Sequence, residues 1–242
     1  MHNVLGSLVR KVIDQLPPRL QCQLTSLRSR VDAKVGTGTF IHTTVQMLGK
    51  AHIRVGRNSV LSQECWLNVN HRICEQVAID IGSNCFIGRR NFFSSGKGVV
   101  IGDYVLTAND CYFLGSSHVI SDPMCPCLTT GTTDTDLIVV GHNTFIGAGA
   151  RVLGHVTIGH GCVVGACSLV TRDIPPFSQV AGFPATVRRR YSLPRRIWVD
   201  TDDFSQEDEA AIPSAEAYLT TLRSHGAPRM PYLAAGSDMG QC

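Results

Sequence analysis

The chain has 242 residues, of which 43% are hydrophobic and 17% charged, so it can bury a substantial core and is not expected to be disordered. A net charge of +3 is too small to indicate a nucleic-acid partner, and no apolar run reaches the roughly 18 residues of a membrane span. The N-terminus lacks the continuous apolar segment of a signal peptide, so a cytoplasmic protein is expected.

Residues 4–16 predict an amphipathic helix, which the Pro17-Pro18 pair ends. Its apolar positions at helical spacing are Leu5, Leu8, Val9, Val12, Ile13 and Leu16. The helix could pack as a cap on the structure that follows it, or lie on a membrane surface. Its polar face carries few cations, which favours the cap. We therefore assign residues 1–30 as an N-terminal helical cap, with peripheral membrane contact as the alternative.

From residue 31 onwards, aliphatic residues recur at six-residue intervals. Neither an α-helix nor a single β-strand has this period. A hexapeptide repeat is typical of a parallel β-helix, in which three hexads make one coil of about 18 residues. The repeats slip by two residues between Ile53 and Val55, and residues 70–78 interrupt them, which predicts an outward bulge.

Several cysteines stand at positions that predict burial rather than chemistry. Cys65, Cys85, Cys111 and Cys162 each fall four residues after a repeat position, where a small inward side chain is expected. We interpret them as small hydrophobes rather than disulfide partners. The C-x-C pair at 125–127 has no second pair at zinc-site spacing, so no metal site is predicted there.

No hexad can be drawn over residues 115–138, which are rich in Ser, Asp, Pro and Thr. This composition predicts a long external loop. A long loop inside a compact domain is usually either functional or disordered, so the loop is a candidate location for a site.

The most regular hexads follow that loop, and Pro176 closes them. The repeating residues are Val140, Ile146, Val152, Ile158, Val164 and Val170. Glycine follows most of them, and the residue four positions after each is small or β-branched. Together with the earlier repeats, they predict an all-β domain over residues 31–187.

Residues 188–242 are assigned as a C-terminal extension that covers the open end of the coil, because an exposed sheet edge favours aggregation. Within it, residues 214–224 predict one short helix. The arginines at 190, 195 and 196 are interpreted as solvated charges.

The regular block closely resembles the hexapeptide-repeat O-acetyltransferases. It opens with Val140-Gly141-His142-Asn143-Thr144-Phe145-Ile146-Gly147-Ala148, and it ends in Val170-Thr171-Arg172-Asp173-Ile174-Pro175-Pro176 followed by Ala181-Gly182-Phe183-Pro184-Ala185. Similar patterns occur in galactoside and maltose acetyltransferases, streptogramin-type xenobiotic acetyltransferases and colanic-acid-type polysaccharide acetyltransferases. The resemblance implies a left-handed β-helix, a homotrimer, acetyl-CoA as the acyl donor, and a sugar or glycan hydroxyl as the acceptor.

The same resemblance implies a catalytic histidine at the root of the external loop, where His118 stands in this sequence. A hydroxyl that attacks a thioester must lose its proton as the C–O bond forms, and imidazole, with an ordinary pKa near 6.5, suits that task. Because the thioester is already activated, direct attack within a ternary complex is implied. Asp110 and Asp122 could orient the imidazole or be ordinary surface carboxylates. The alternative for His118 is a solvated loop histidine.

Residues for acetyl-CoA also follow from the resemblance. Thr171 and Arg172 match the family's Thr-Lys pair at the nucleotide phosphates, and Arg188 and Arg189 match a downstream basic position. Arginine offers forked hydrogen bonding to phosphate.

Backbone amides at Ala148 and Ala166 match positions that line the pantetheine groove, while Phe145 stands where many relatives have Trp. Asn91 lies near the position that holds the acceptor in sugar acetyltransferases. Its alternative is a turn asparagine that bonds its own backbone.

Three other functions remain open from the sequence. One is a γ-carbonic-anhydrase-like metalloenzyme, since His155 and His160 are five residues apart. Their phase differs from that family's pattern, and we expect them and His142 at exposed turns without a metal. The second is a non-catalytic β-helix scaffold, and the third is N-acetylation of an amino-sugar nucleotide.

Overall fold

The structure, a computed structural model, describes residues 34–72 and 76–230. Its strands form three sheets, A, B and C, which are the walls of a parallel β-helix, as the hexads predict. The predicted helix over residues 4–16, and with it the cap assigned to residues 1–30, lies outside the described residues.

Sheet A comprises β1 (Lys34–Val35), β4 (Ile53–Val55), β7 (Ile79–Ile81), β10 (Gly98–Ile101), β13 (Leu137–Val140) and β16 (Val156–Ile158). Sheet B comprises β2 (Phe40–Ile41), β5 (Val60–Leu61), β8 (Phe86–Ile87), β11 (Leu106–Thr107), β14 (Phe145–Ile146), β17 (Val163–Val164), β19 (Ser178–Gly182), β20 (Ala185–Ser192) and β21 (Ile197–Asp200). Sheet C comprises β3 (Gln46–Leu48), β6 (Trp66–Asn68), β9 (Phe92–Ser94), β12 (Tyr112–Leu114), β15 (Arg151–Leu153) and β18 (Leu169–Val170).

Each coil contributes one strand to sheets A, B and C in turn, so coils 1 to 6 begin at β1, β4, β7, β10, β13 and β16. The three edges of the prism are named by the sheets that meet there: corners AB, BC and CA. Short 3₁₀ turns occur at Lys50–His52, Cys127–Thr129 and Thr201–Asp203. Within the described residues, the α-helices are α1 (Gln206–Ala210) and α2 (Ala215–Ser224), which follow the strands.

The hexad residues point inward and stack on their counterparts in neighbouring coils. Val152 pairs in register with Phe113 below it and Val170 above it, and all three side chains are buried. The rings of Phe93 and Phe113 stack with centroids 4.7 Å apart in the middle of the core. Burial of this apolar column drives the coil to close.

The glycines that follow the hexad residues are required by the close approach of successive coils. A Cβ on Gly141 would lie 2.4 Å from the backbone N of His160, and one on Gly147 would lie 2.6 Å from that of Ala166. Both distances are far inside van der Waals contact, so side chains are excluded at these corner positions.

The predicted burial of the four corner cysteines is confirmed. Cys65, Cys85, Cys111 and Cys162 are at most 1% exposed. Burial raises the pKa of Cys65 and Cys162 to about 11 and that of Cys85 and Cys111 to about 12. These thiols therefore stay protonated and unreactive at neutral pH.

The coil is interrupted twice, both times at corner CA. One excursion lies between β6 and β7 and is described over residues 69–72 and 76–78, and the other runs over residues 115–136 between β12 and β13. The predicted loop therefore ends two residues earlier than expected, because Leu137 already belongs to β13. The predicted two-residue slip of the repeat falls within strand β4. Ile53 and Val55 are the two buried residues of this strand, so the slip is a step from one inward residue to the next.

The C-terminal extension begins within an antiparallel hairpin, because β20 pairs with both β19 and β21. The predicted helix is observed as α2, which packs along corner AB. Asn143 Nδ2 donates to Tyr218 Oη at 2.6 Å, and Arg223 pairs with Asp103 at 3.2 Å. The extension thus covers one side of the coil as well as continuing sheet B. No described helix has the length and apolar character that a membrane span needs.

The interpretation of two arginines in the extension as solvated charges is wrong. The Arg190 side chain is only 12% exposed and pairs with Glu209 at 2.5 Å. Arg195 pairs at 2.6 Å with Asp208, a carboxylate that is 3% exposed. Both ion pairs fasten the segment around α1 to the hairpin.

Candidate functional site

His118 is held on a short ribbon that leaves corner CA of coil 4. The ribbon consists of residues 116–119 and 131–133, the two limbs of the external loop. His118 faces Thr132 across it as an antiparallel bridge, and backbone hydrogen bonds join the limbs on both sides of this pair. The residue predicted to be catalytic is therefore fixed by paired backbone close to the coil.

The imidazole of His118 is exposed and has no hydrogen-bond partner among residues 34–72 and 76–230. It is thus accessible to a molecule that approaches this corner from solvent. Neither carboxylate considered for its orientation contacts it. Asp110 forms a bidentate pair with Arg90 at 2.7 and 2.8 Å, which lowers the pKa of Asp110, and Asp122 accepts the N–H of Met124 at 2.9 Å.

Ala148 and Ala166 lie on successive turns of corner BC, where the structure brings them together. The backbone N–H of Cys167 donates to the carbonyl of Ala148 at 2.8 Å and ties the two turns. Both alanines are exposed, and their small methyl groups project little from this edge of the prism. Beside them on sheet B, the Phe145 side chain points outward and is 38% exposed.

Thr171 and Arg172 follow β18 at corner CA, the same corner that carries the His118 ribbon. The two positions lie two coils apart, which corresponds to about 10 Å at the usual spacing of neighbouring strands. Both residues are exposed, and Arg172 forms no ion pair with any described residue.

Arg188 and Arg189 lie further away, on β20 in the hairpin. Arg188 is exposed and has no ion-pair partner in the described part of the chain, whereas Arg189 pairs with Asp200 at 3.2 Å. The cations predicted for phosphate binding therefore differ: Arg172 and Arg188 are available, and Arg189 is already shared with a carboxylate.

Asn91 does not have the environment of an acceptor-binding residue, because its side chain is fully buried. Its Nδ2 donates to the carbonyls of Gly88 and Ala108 at 2.7 and 2.9 Å, and its Oδ1 accepts the N–H of Cys111 at 2.9 Å. The side chain thus satisfies the backbone of corner BC, as the alternative interpretation predicts, and is not available to a bound sugar.

The histidines of the metalloenzyme alternative lie on turns but at different corners. His142 and His160 are at corner AB, and His155 is at corner CA. The expectation that all three are solvent-facing is wrong for His160, which is 6% exposed beneath the ring of Tyr218. No group of three metal-ligating side chains lies close together in the part of the chain that the structure describes.

One contact at the site was not predicted from the sequence. His71, from the excursion after β6, reaches the ribbon with Nε2 at 3.2 Å from the carbonyl of Thr133 and from the hydroxyl of Thr132. The only sequence signal was that residues 70–78 break the hexads. Nothing in the local sequence indicates that they meet residues some 60 positions later.

Comparison with known proteins agrees with this architecture. The sequence profile of the family described as "Bacterial transferase hexapeptide (six repeats)" matches residues 138–172. A probable acetyltransferase of Mycobacterium tuberculosis is 29% identical over 162 residues, which cover 66% of this chain and 50% of that protein. The galactoside O-acetyltransferase of Escherichia coli is 34% identical over 117 residues, 45% of this chain and 57% of that enzyme.

Among solved structures, AntD, an N-acyltransferase from Bacillus cereus in complex with dTDP and 3-hydroxybutyryl-CoA, superimposes with a TM-score of 0.59. The two chains are 17% identical, and the match covers 83% of this chain and 95% of AntD. At this identity, the likeness shows a shared fold.

The hexapeptide repeats match the family over residues 138–172, and the same three-sided coil continues through the other described strands of sheets A, B and C. The chain's sequence relatives are acetyltransferases, so the resemblance to the hexapeptide-repeat acetyltransferase family is confirmed. The chain spans about half the length of the curated relatives it matches.

Proposed function

We propose that this protein is an acetyl-CoA-dependent O-acetyltransferase that acts on a hydroxyl of a sugar or glycan, with His118 as the general base. The observation that carries the proposal is the exposed imidazole of His118, which is held on paired backbone at the corner where Thr171 and Arg172 also lie. A base for the acceptor and a cation for the donor are thereby on one edge of the molecule.

In the proposed reaction, the imidazole of His118 accepts the proton of the acceptor hydroxyl while the hydroxyl oxygen attacks the carbonyl carbon of the thioester. The C–O bond forms, the C–S bond breaks, and the imidazolium returns the proton to the departing thiolate. The products are an acetyl ester and free coenzyme A. General-base assistance of this kind contributes about 10²–10⁴-fold.

Donor binding is proposed along the residues that match the family pattern. The pantetheine arm binds along the edge at Ala148 and Ala166, where the side chains are small. The phosphates bind to Thr171, Arg172 and Arg188. Guanidinium groups without an internal ion pair suit phosphate, because they need not exchange one anion for another.

The family resemblance further supports a left-handed coil and a homotrimer, with each site between adjacent subunits of a closed ring. It also supports a role in polysaccharide or glycan modification, and the cytoplasmic location expected from the sequence stays a prediction. The sugar acceptor is supported by the galactoside O-acetyltransferase among the relatives. An amine acceptor is the competing possibility, because a variant of AntD of the same fold is bound to dTDP-4-amino-4,6-dideoxyglucose and coenzyme A.

The test is acetyl transfer from labelled acetyl-CoA by the purified full chain to a panel of sugars, oligosaccharides, sugar nucleotides and amino-sugar nucleotides. Acetyl esters are released by mild alkali and acetamides are not, so the labelled product identifies hydroxyl or amine acceptors.

His118→Ala should lower turnover by about 10²–10⁴-fold with the melting temperature unchanged. The matched control is His225→Ala, at another exposed histidine, which lies at the end of α2. Turnover near that of the unmodified protein in His118→Ala would remove this residue from the mechanism. Absence of transfer to every acceptor would contradict the proposed activity and favour a non-catalytic scaffold.

A further inference from the structure

His71 connects two parts of corner CA that are distant in sequence. It lies in the excursion that leaves coil 2 after β6, and its side chain is half-buried against the ribbon that leaves coil 4. Because the carbonyl of Thr133 can only accept, the Nε2–H of His71 donates to it at 3.2 Å, with the hydroxyl of Thr132 also at 3.2 Å. The contact is made by one ring nitrogen, to the limb that pairs with His118.

The backbone that carries His71 is itself anchored to the coil. The preceding residue, Asn70, accepts hydrogen bonds at its Oδ1 from the hydroxyl of Ser94 at 3.0 Å and the N–H of Ser95 at 3.2 Å. Its own N–H donates to the Ser95 hydroxyl at 3.1 Å. The imidazole therefore projects from a point fixed to coil 3, and it can transmit that fixed position to the ribbon.

The ribbon depends on few such attachments. Apart from the cross-strand bonds of the ribbon, the carbonyl of Thr133 accepts a hydrogen bond from the hydroxyl of Ser116 at 2.9 Å, and Ser116 belongs to the ribbon itself. Beyond the ribbon, the loop at residues 120–130 makes hydrogen bonds only within itself, among the described residues. His71 thus supplies a side-chain hydrogen bond that ties the ribbon to another coil.

We infer that His71 is a positioning residue, which fixes the limb opposite His118 and thereby sets where the imidazole of His118 lies. This inference rests on the proposed function of His118. A general base must stay within hydrogen-bond reach of the hydroxyl it deprotonates, and a displacement of about 1 Å can cost about 100-fold in rate. His71 does not need to touch either substrate, because its Nε2 is already engaged by two oxygens of the ribbon.

The test compares His71→Ala with His71→Gln, since glutamine retains a side-chain N–H donor of similar reach. The matched control is His52→Ala, because His52 contacts the same excursion through the carbonyl of Gln76 at 3.1 Å and does not reach the ribbon. Steady-state kinetics and amide hydrogen exchange are measured on the full chain. Steady-state kinetics report catalysis. Hydrogen exchange reports how firmly the ribbon is held, whether or not the protein is active.

In His71→Ala, kcat should fall about tenfold or more while the KM for acetyl-CoA changes less than twofold, since donor binding uses other residues. Exchange of the amides of Thr133 and Val119 should become faster, with the coil amides unchanged. His71→Gln should restore most of both properties, and His52→Ala should match the unmodified protein.

Two outcomes would overturn the inference: unchanged exchange at Thr133 and Val119 in His71→Ala, or unchanged kcat in a protein that His118→Ala inactivates. Failure of the proposed function looks different, because His118→Ala itself would then retain full turnover. A His71→Ala protein that unfolds globally would accelerate exchange throughout the coil, which would contradict a local role.

Discussion

Arginine side chains in the C-terminal half of the chain divide into structural and available groups. Arg190 and Arg195 form ion pairs with carboxylates of the extension, and Arg189 forms one with Asp200. Arg172 is exposed and unpaired within the described residues, at the corner that carries the ribbon. Removal of such an unpaired guanidinium should weaken the binding of an anionic ligand without affecting the fold.

Arg172→Ala should therefore raise the KM for acetyl-CoA by about tenfold or more, because a charge-assisted hydrogen bond to phosphate is lost. The KM for the acceptor and the melting temperature should change little. Arg57→Ala, an exposed arginine at corner AB of coil 2, is the control and should leave both constants unchanged. Initial-rate kinetics with each substrate varied in turn provide the measurement, and an equal rise in both constants would reject a specific phosphate role.

At the level of single residues, sequence patterns predicted burial well wherever the six-residue period applies. The inward hexads and the corner cysteines follow from position alone. His160 and Arg190 were interpreted wrongly, because the groups that cover or pair with them come from segments further along the sequence. The ring of Tyr218 covers His160, for example, from a helix 58 positions later in the sequence.

Helix α2 covers His160. Its contact with corner AB contains two histidines, His142 and His160, whose pKa values are lowered by burial. His142 accepts the N–H of Asp103 at its Nδ1 at 2.9 Å, which requires the unprotonated nitrogen. Burial is the main cause that lowers the pKa of His142, with Arg223 adding to it and Asp103 opposing it. Burial also lowers the pKa of His160.

The docking of α2 should therefore weaken in mild acid. A histidine whose folded pKa lies below its unfolded value of about 6.5 binds more protons in the unfolded state, so stability is lost as the pH falls through and below 6.5. We expect the melting temperature to drop between pH 7 and pH 5. The drop should be smaller in His160→Phe, which keeps the ring contacts with Phe177 and Tyr218.

Thermal unfolding of both proteins across that range provides the measurement. Asp208 also has a lowered pKa, mainly through its hydrogen bond from Ser192, but a carboxylate loses its contribution only in stronger acid. Identical pH profiles for His160→Phe and the unmodified chain would contradict a role for His160 in this loss.

Among the elements, the strands of the six coils and the external loop were predictable because the hexads mark each side of the prism and stop where the chain leaves it. The hairpin of β19 to β21 was not, since it carries no six-residue period. The helix α2 was predictable as a helix, but its position along corner AB depends on single contacts such as that of Asn143 with Tyr218.

In the whole molecule, sheet C lies between the two edges that carry the candidate site: corner BC with Ala148 and Ala166, and corner CA with His118 and Arg172. Its outward face bears an aromatic ladder in which the ring of Trp66 lies 4.9 Å from that of Phe92. The periodicity predicted a prism with three such faces. It could not distinguish them, because outward residues are free of the six-residue constraint.

We expect a second copy of the chain to cover this face in a homotrimer. Leu48, Trp66 and Leu153 on sheet C are 46%, 44% and 38% exposed, which is unusual for large apolar side chains on one face unless a partner covers them. Light scattering should give three times the 26.2 kDa of one chain. Trp66→Arg should shift the protein to smaller species at the same concentration, because an unpaired cation would be buried.

The matched control is Ile197→Arg on β21, where an apolar residue that is 52% exposed lies away from sheet C. That variant should keep the mass of the unmodified protein, and both variants should keep its circular dichroism spectrum. A monomeric unmodified protein would contradict the trimer. A trimer that Trp66→Arg leaves intact would instead move the subunit contact to another face, and sheet C would then be open to the acceptor.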